Sequence, residues 1–241
     1  MKHVSSEPKI RVGILGASGY MGGELLRILL RHPKVTIVWA TSRHDEEISH
    51  FHPNIDDSDL KFIDPDKITP CDMVFMALPT EQSMKFIKTI SKWDCRIIDL
   101  GATFRLSDRE LWESTYQMRH ESWSNAQSAV YGISELHYER IKTAKLIANP
   151  GCFSSAAILA LAPLMQHDFI DKSKISVTGL SGTAGIGSEL TRFAHHPEMS
   201  NNLVPYNVTM HRHSAEIEQE LRLLCDEPVS VHFTPVYVPI S

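Results

Sequence analysis

No Cys-x-x-Cys pair occurs in these 241 residues; the four cysteines, Cys71, Cys95, Cys152 and Cys225, are widely scattered. Such spacing supplies neither the ligand set of a structural zinc site nor a disulfide framework, and it suits a reducing cytoplasm. No apolar run is long enough to span a bilayer. The first eight residues have no apolar core, so they lack the makings of a secretory signal. Positive charge is also short, with 24 Lys and Arg against 29 Asp and Glu and a formal net charge of −5. That balance argues against a nucleic-acid partner and against an anionic membrane surface. The remainder is 42% hydrophobic and 22% charged. This is globular composition, with room for two medium domains or one large one.

The chain begins with a short apolar strand, Ile10 to Leu15. Gly16-Ala17-Ser18-Gly19-Tyr20-Met21-Gly22 follows at once, and helical periodicity runs from Gly23 to Arg31. Strand, glycine turn and helix form the context of a dinucleotide fingerprint. The glycines allow close approach of a pyrophosphate, which then rests on the helix N-terminus. The spacing is G-x-x-G-x-x-G rather than G-x-G-x-x-G, so the context carries the assignment. The next strand, Val35 to Ala40, runs into Thr41-Ser42-Arg43 instead of an acidic residue. A hydroxyl and a guanidinium suit a 2′-phosphate, which favours NADP over NAD; taken alone, Arg43 is an ordinary surface charge.

Residues 44–70 form a polar, irregular stretch with one weak strand, Leu60 to Ile63. His50 and His52 have no further ligands nearby and are expected at the surface. Asp72 to Leu78 is a buried strand, left through Pro79 at the end where open α/β sheets bind cofactors. A helix from Met84 to Ser91 and a strand from Cys95 to Leu100 continue the alternation, which implies a doubly wound parallel sheet. Asp99 is expected to be a structural anchor. Residues 108–128 suggest a helix and an excursion over the surface, and residues 130–136 suggest a turn.

The chemistry is expected at Ala148-Asn149-Pro150-Gly151-Cys152. A short strand gives way to turn residues, and a helix rich in Ala and Leu runs from Cys152 to about Pro163. The first N–H groups of a helix lack intrahelical partners and carry partial positive charge. A thiolate is stabilised there, and an oxyanion formed beside it is bound there too. The competing reading is a small buried cysteine in a tight turn. Further on, Lys174 to Leu180 is a strand. The loop Ser181-Gly182-Thr183-Ala184-Gly185-Ile186-Gly187-Ser188 is rich in donors that suit an anion or a nicotinamide amide. His211-Arg212-His213 precedes a helix, Ser214 to Leu221, with Ser214 as its N-cap. Val229 to Val238 alternates like a strand. His211-x-His213 has no third ligand, so no metal site is assigned.

Gly16 to Gly22, Met76-Ala77-Leu78-Pro79, Asp99 to Leu106, Val130-Tyr131-Gly132, Ala148 to Cys152 and His211-Arg212-His213 with Glu216-Ile217-Glu218-Gln219 occur in order. Together they resemble the N-acetyl-γ-glutamyl-phosphate reductase family, relatives of aspartate-semialdehyde dehydrogenase, over nearly the whole chain. The resemblance implies an α/β protein. It would have an N-terminal doubly wound Rossmann-type NADP-binding domain, residues 1–151, and an α+β catalytic and dimerisation domain, residues 152–241. That second domain is expected to be incomplete at the C-terminus, since the family continues beyond Ser241. NADPH-dependent reduction of an acyl phosphate through a cysteine thioester is the implied reaction.

The same resemblance makes Cys152 the nucleophile and His211 the assisting histidine. Asn149, Arg212, His213 and Glu216 are candidate substrate residues. Gly16, Ser18, Gly19, Tyr20, Met21, Gly22, Ser42, Arg43, Leu78, Pro79, Ser181 and Gly182 are candidate NADP(H) contacts. A small-molecule acyl phosphate and a second copy of the chain are the expected partners. Two departures concern substrate contacts: Gly101 and Thr103 stand in a stretch expected to read Asp-Leu-Ser-Ala-Asp-Phe-Arg, and the loop after Ser181 is altered. They keep open the same chemistry on an aminoadipyl phosphate, carrier-protein-bound or free, for which His195-His196-Pro197-Glu198 also speaks. A dinucleotide-binding regulator without catalysis is a further alternative, and Cys152 with His211 argues against it.

Overall fold

Seven parallel strands form the sheet around which the first of two compact units is built. The computed structural model describes residues 8–43, 47–55, 60–188, 191–192 and 195–240. The first unit comprises Met1–Phe104, Ser124–Gly132 and Glu139–Asn149; the second comprises Arg105–Trp123, Ile133–Tyr138 and Pro150–Ser241.

In the first unit the elements run β1 (Ile10–Leu15), α1 (Tyr20–Leu29), β2 (Val35–Thr41), α2 (Ile48–Phe51), β3 (Phe62–Ile63), β4 (Met73–Met76), α3 (Thr80–Ile90) and β5 (Arg96–Asp99). The chain then crosses into the second unit for α4 (Arg109–Tyr116) and for the start of α6 (Ser134–Thr143), while most of α5 (Trp123–Ala126), β6 (Val130–Tyr131), the end of α6 and β7 (Leu146–Ala148) belong to the first. The strand order is β3-β2-β1-β4-β5-β7-β6. From β1 the chain winds outward through β2 and β3, then returns to lay β4 on the other side of β1. The order therefore reverses between β1 and β4, and the crevice beyond their carboxyl ends is the ligand position in such sheets. Val12, Ile14, Leu26, Ala40, Ile48 and Phe62 form one continuous core of this unit. Burying each large apolar side chain contributes roughly 1.5–3 kcal/mol.

Several local expectations change. Helix α1 begins at Tyr20, three residues before Gly23, so Gly22 and Gly23 lie inside it. Packing explains the glycines: a Cβ at Gly22 would stand 2.5 Å from the Ala17 Cα, and one at Gly23 would stand 2.5 Å from the His52 ring. His52 is accordingly buried, not at the surface, and its Nε2 donates to the Ala17 carbonyl at 2.8 Å. Val130–Tyr131 is an edge strand rather than a turn. Its residues pair with Ile147 and Ala148, and two residues are too few to show periodicity. Helix α3 starts at Thr80, directly after Pro79. Asp99 is fully buried and accepts a hydrogen bond from the Ser83 hydroxyl at 3.2 Å, an anchor as expected.

The second unit carries α7 (Cys152–Met165), β8 (Ile175–Ser181), α8 (His196–Met199), β9 (Val204–Pro205), α9 (His213–Arg222) and β10 (Val231–Tyr237). Helix α7 runs two residues past Pro163. Strands β8 and β10 pair in parallel from Ile175↔Val231 to Ser181↔Tyr237, and β9 adds antiparallel to β10. Helix α9 begins at His213, and its cap position is Arg212 rather than Ser214. Among the described residues no helix is long and apolar enough to cross a membrane.

Candidate active site and cofactor cleft

A cleft of about 450 Å³ opens at the reversal point of the first unit, lined among others by Gly16, Ser18, Gly19, Ser42, Arg43, Leu78 and Pro79. Gly16 has φ +78°, and a Cβ there would stand 2.3 Å from the Ala77 carbonyl oxygen. Conformation and close approach both demand glycine. Thr41 holds the turn from β2: its Oγ1 accepts from the Gly16 N–H at 3.1 Å and its carbonyl from the Ala17 N–H at 2.8 Å. Gly19 caps α1 without a side-chain hydrogen bond, and the first turn of α1 has no acidic residue. No carboxylate of its own first turn offsets the positive end of α1, which fits a pyrophosphate. Tyr20 and Met21 stand exposed at the start of α1, while Gly22 is buried. Asp64, Pro65 and Asp66, from the irregular stretch 44–70 in which little chemistry is expected, also line the cleft. Asp64 is occupied locally, accepting from the Asp66 N–H at 2.8 Å.

Cys152 is exposed at the first position of α7 in the second unit. The first intrahelical bond is Ser155 N–H to the Gly151 carbonyl, at 2.8 Å. The amides of Cys152, Phe153 and Ser154 precede it and make up the open end of the helix. Phe153 is edge-on to both His211 and His213, with ring centroids 5.9 Å away in each case. The two imidazoles are themselves 4.6 Å apart at 82°. His211 Nδ1 accepts the backbone N–H of His213 at 3.3 Å, so a neutral His211 carries its proton on Nε2. Burial pushes His211 down to about 4, with the Arg212 cation adding to the effect and Glu216 opposing it. Burial likewise brings His213 to about 4 against the opposing pull of Glu216, with His211, Arg105 and Arg212 lowering it further. Both rings are neutral at pH 7.

Glu216, on α9, is fully buried. Its carboxylate receives the Gly151 N–H at 3.1 Å, pairs with Arg105 at 3.2 Å and lies 3.9 Å from His213 Nε2. Gly151 is needed for this packing, since a Cβ there would stand 2.3 Å from His213 Nε2. Two residues beyond those expected from the sequence also reach this cluster, Arg105 and Tyr206. Tyr206 stacks on Tyr237 at 4.0 Å and stands edge-on to His211 at 5.6 Å. Burial, then a hydrogen bond with Tyr237, raises its phenol. No sequence pattern marks Tyr206, and Arg105 lies in the Asp99 to Leu106 stretch, where nothing local points to its buried partner.

The structure thus packs the residues on either side of Cys152 against this cluster, Gly151 on His213 and Glu216 and Phe153 on His211 and His213, with Arg212 exposed at the cap of α9. Asn149 belongs to the first unit and donates its backbone N–H to the Asp99 carbonyl at 2.8 Å. Ser181 ends β8, and Gly182 caps a 3-10 turn, Thr183–Ile186.

Residues 11–144 match the family described as semialdehyde dehydrogenase, NAD binding domain, and residues 152–241 match semialdehyde dehydrogenase, dimerisation domain. The chain is 43% identical over 235 residues to an N-acetyl-gamma-glutamyl-phosphate reductase of Methanosphaera stadtmanae, covering 96% of this chain and 68% of that protein. It is 45% identical over 237 residues to the protein of the same name from Methanopyrus kandleri, covering 95% and 68%. The fold is similar to that of aspartate semialdehyde dehydrogenase II from Vibrio cholerae, with a TM-score of 0.69 and 15% identity over 97% of this chain and 71% of that one. A second similar fold is aspartate semialdehyde dehydrogenase with NADP from Candida albicans, with a TM-score of 0.59 and 14% identity over 96% and 68%.

Proposed function

Because the chain belongs to the semialdehyde dehydrogenase family, and within it to the N-acetyl-γ-glutamyl-phosphate reductases, we propose that it reduces N-acetyl-γ-glutamyl phosphate to N-acetylglutamate semialdehyde and phosphate, a step of arginine biosynthesis. The observation that carries the reading is Cys152, exposed at the open end of α7, where the next residue, Phe153, packs edge-on against two buried histidines. Sγ of Cys152 attacks the acyl carbon, the C–O bond to phosphate breaks, and an acyl thioester remains on the cysteine. The amides at the start of α7 bind the oxyanion that forms during attack. His211, with its proton on Nε2, donates a hydrogen bond to the sulfur and holds it as the reactive thiolate. Arg212 and His213 meet the substrate's anionic groups.

NADPH is the cofactor, supplying the hydride that brings the thioester to the aldehyde level. The bare N-terminus of α1 and the glycines around it would hold its pyrophosphate. Ser42 and Arg43 would hold the 2′-phosphate, and Leu78 and Pro79 would flank it. The bond between the acyl carbon and Sγ then breaks, the aldehyde departs and Cys152 is left as the thiolate. We assign NADP binding to residues 1–151 and catalysis with subunit pairing to residues 152–241. The protein is then a cytoplasmic homo-oligomer, in the compartment that keeps Cys152 reduced.

The test is phosphate-dependent reduction of NADP with N-acetylglutamate semialdehyde. Activity that Cys152→Ser abolishes supports the reading. Activity only with aminoadipate semialdehyde would move the protein to the other substrate, and undiminished activity in Cys152→Ser would sink the nucleophile assignment.

A further inference from the structure

The motif that supplies His211 and His213 continues into α9, and the polar face of that helix is almost wholly engaged inside the second unit. Gln219 Oε1 accepts from the Ser107 N–H at 2.8 Å, and its Nε2 donates to the Arg105 carbonyl at 3.1 Å. Glu220 pairs with His137 at 2.6 Å. One turn earlier, Glu216 receives the Gly151 N–H and pairs with Arg105. Segments 105–107, 133–138 and 150–152 are distant in sequence, and α9 ties them through three consecutive inward positions of its polar face.

We propose that Glu216 is a positioning residue for the thioester chemistry and makes no contact with substrate. Its carboxylate fixes the backbone just before Cys152 and balances Arg105 beside it. Glu216 is 0% exposed and Arg105 is 7% exposed, so neither charge has water to fall back on. A buried carboxylate persists only where charges and donors meet it, and here a guanidinium and a backbone amide do so. The amide belongs to Gly151, the cap of the helix whose first residue is Cys152. Direction is therefore imposed on the helix opening by a side chain 65 residues away in sequence. The same carboxylate stands 3.9 Å from His213 and is the one group there that favours a charged imidazole; His211, Arg105 and Arg212 all oppose it.

This proposal rests on the reading of Cys152 as nucleophile, and its test includes measurements that need no turnover. Glu216→Gln keeps the shape and removes the charge. Expected is a fall in kcat of about 10²-fold, the scale of a misplaced reacting group, with KM for semialdehyde and phosphate within about threefold. By NMR, the His213 ring should titrate at lower pH than in the wild type. If Glu216→Gln fails to fold, the double variant Arg105→Met, Glu216→Leu removes the pair together, which buried ion pairs tolerate. In that variant the Gly151 amide should exchange with solvent at least about tenfold faster, because its acceptor is gone.

An unchanged kcat, or a rise in KM alone, would overturn the proposal, the latter because it marks a substrate contact. Unchanged His213 titration together with unchanged Gly151 exchange would also overturn it. If the NMR changes occur in a protein whose wild type shows no phosphate-dependent turnover, the positioning role stands and the assigned reaction fails.

Discussion

Replacing Gly151 with alanine tests the packing on which the site depends. The added Cβ would lie 2.3 Å from His213 Nε2 and 2.8 Å from both neighbouring ring carbons. Ordinary carbon–nitrogen contact begins roughly 1 Å further out. The ring has little room to yield. Phe153 stands edge-on at 5.9 Å, His211 at 4.6 Å, and Glu216 lies behind Nε2 at 3.9 Å. Overpacking of this kind costs about 1–3 kcal/mol, and each kcal/mol lowers Tm by about 2–4 °C in a chain of this size. Moving the ring or the helix start by about 1 Å also costs on the order of 10² in kcat. Thermal melting and phosphate-dependent NADP reduction, measured on the same preparation, read both effects. A Gly151→Ala protein with wild-type Tm and wild-type kcat would refute the claim that His213 is packed against the backbone preceding Cys152.

Three further expectations follow from the same geometry. His211→Asn should lower kcat by about 10²–10⁴-fold, whereas a comparable loss at His213→Asn with none at His211 would exchange their roles. Acid should destabilise the fold: both histidines fall from 6.5 to about 4, so the unfolded chain binds protons that the folded one refuses. Stability is then full above pH 6.5 and is lost as the pH drops towards 4, by about 3 kcal/mol per ring at most. Urea midpoints at pH 7 and pH 4.5 measure the loss, and a His213→Asn protein with the same loss would contradict its attribution to this ring. Arg43→Ala should weaken NADPH binding about 10–100-fold and leave NADH unchanged, read by fluorescence titration; equal weakening of both cofactors would remove the 2′-phosphate from Arg43.

Much of this was legible from residue order because the signals are local. A glycine turn between a strand and a helix, and a cysteine where turn residues meet an Ala-rich helix, are written within a few positions of one another. The less legible features are long-range. Nothing near Glu216 in sequence says that its partners are Arg105 and the Gly151 amide, 111 and 65 residues away. His52 lacked neighbouring ligands and so suggested a surface residue, but its burial comes from Gly23 making room for its ring. The edge strand Val130–Tyr131 exists because β7 offers it a ladder, and two residues carry no period of their own. Ser214 has the side chain of an N-cap, yet the cap lies two residues earlier at Arg212, and the Ser214 N–H meets the His211 carbonyl at 3.0 Å.

The central claim is that a covalent acyl group forms on Cys152. Mixing the protein with N-acetyl-γ-glutamyl phosphate in the absence of NADPH should release phosphate in a burst stoichiometric with the chain. The acyl group should then be found by mass spectrometry on the peptide containing Cys152, and hydroxylamine should remove it. Cys152→Ser should show neither the burst nor the adduct. A burst that persists in Cys152→Ser, or an acyl group located on another residue, would contradict the account.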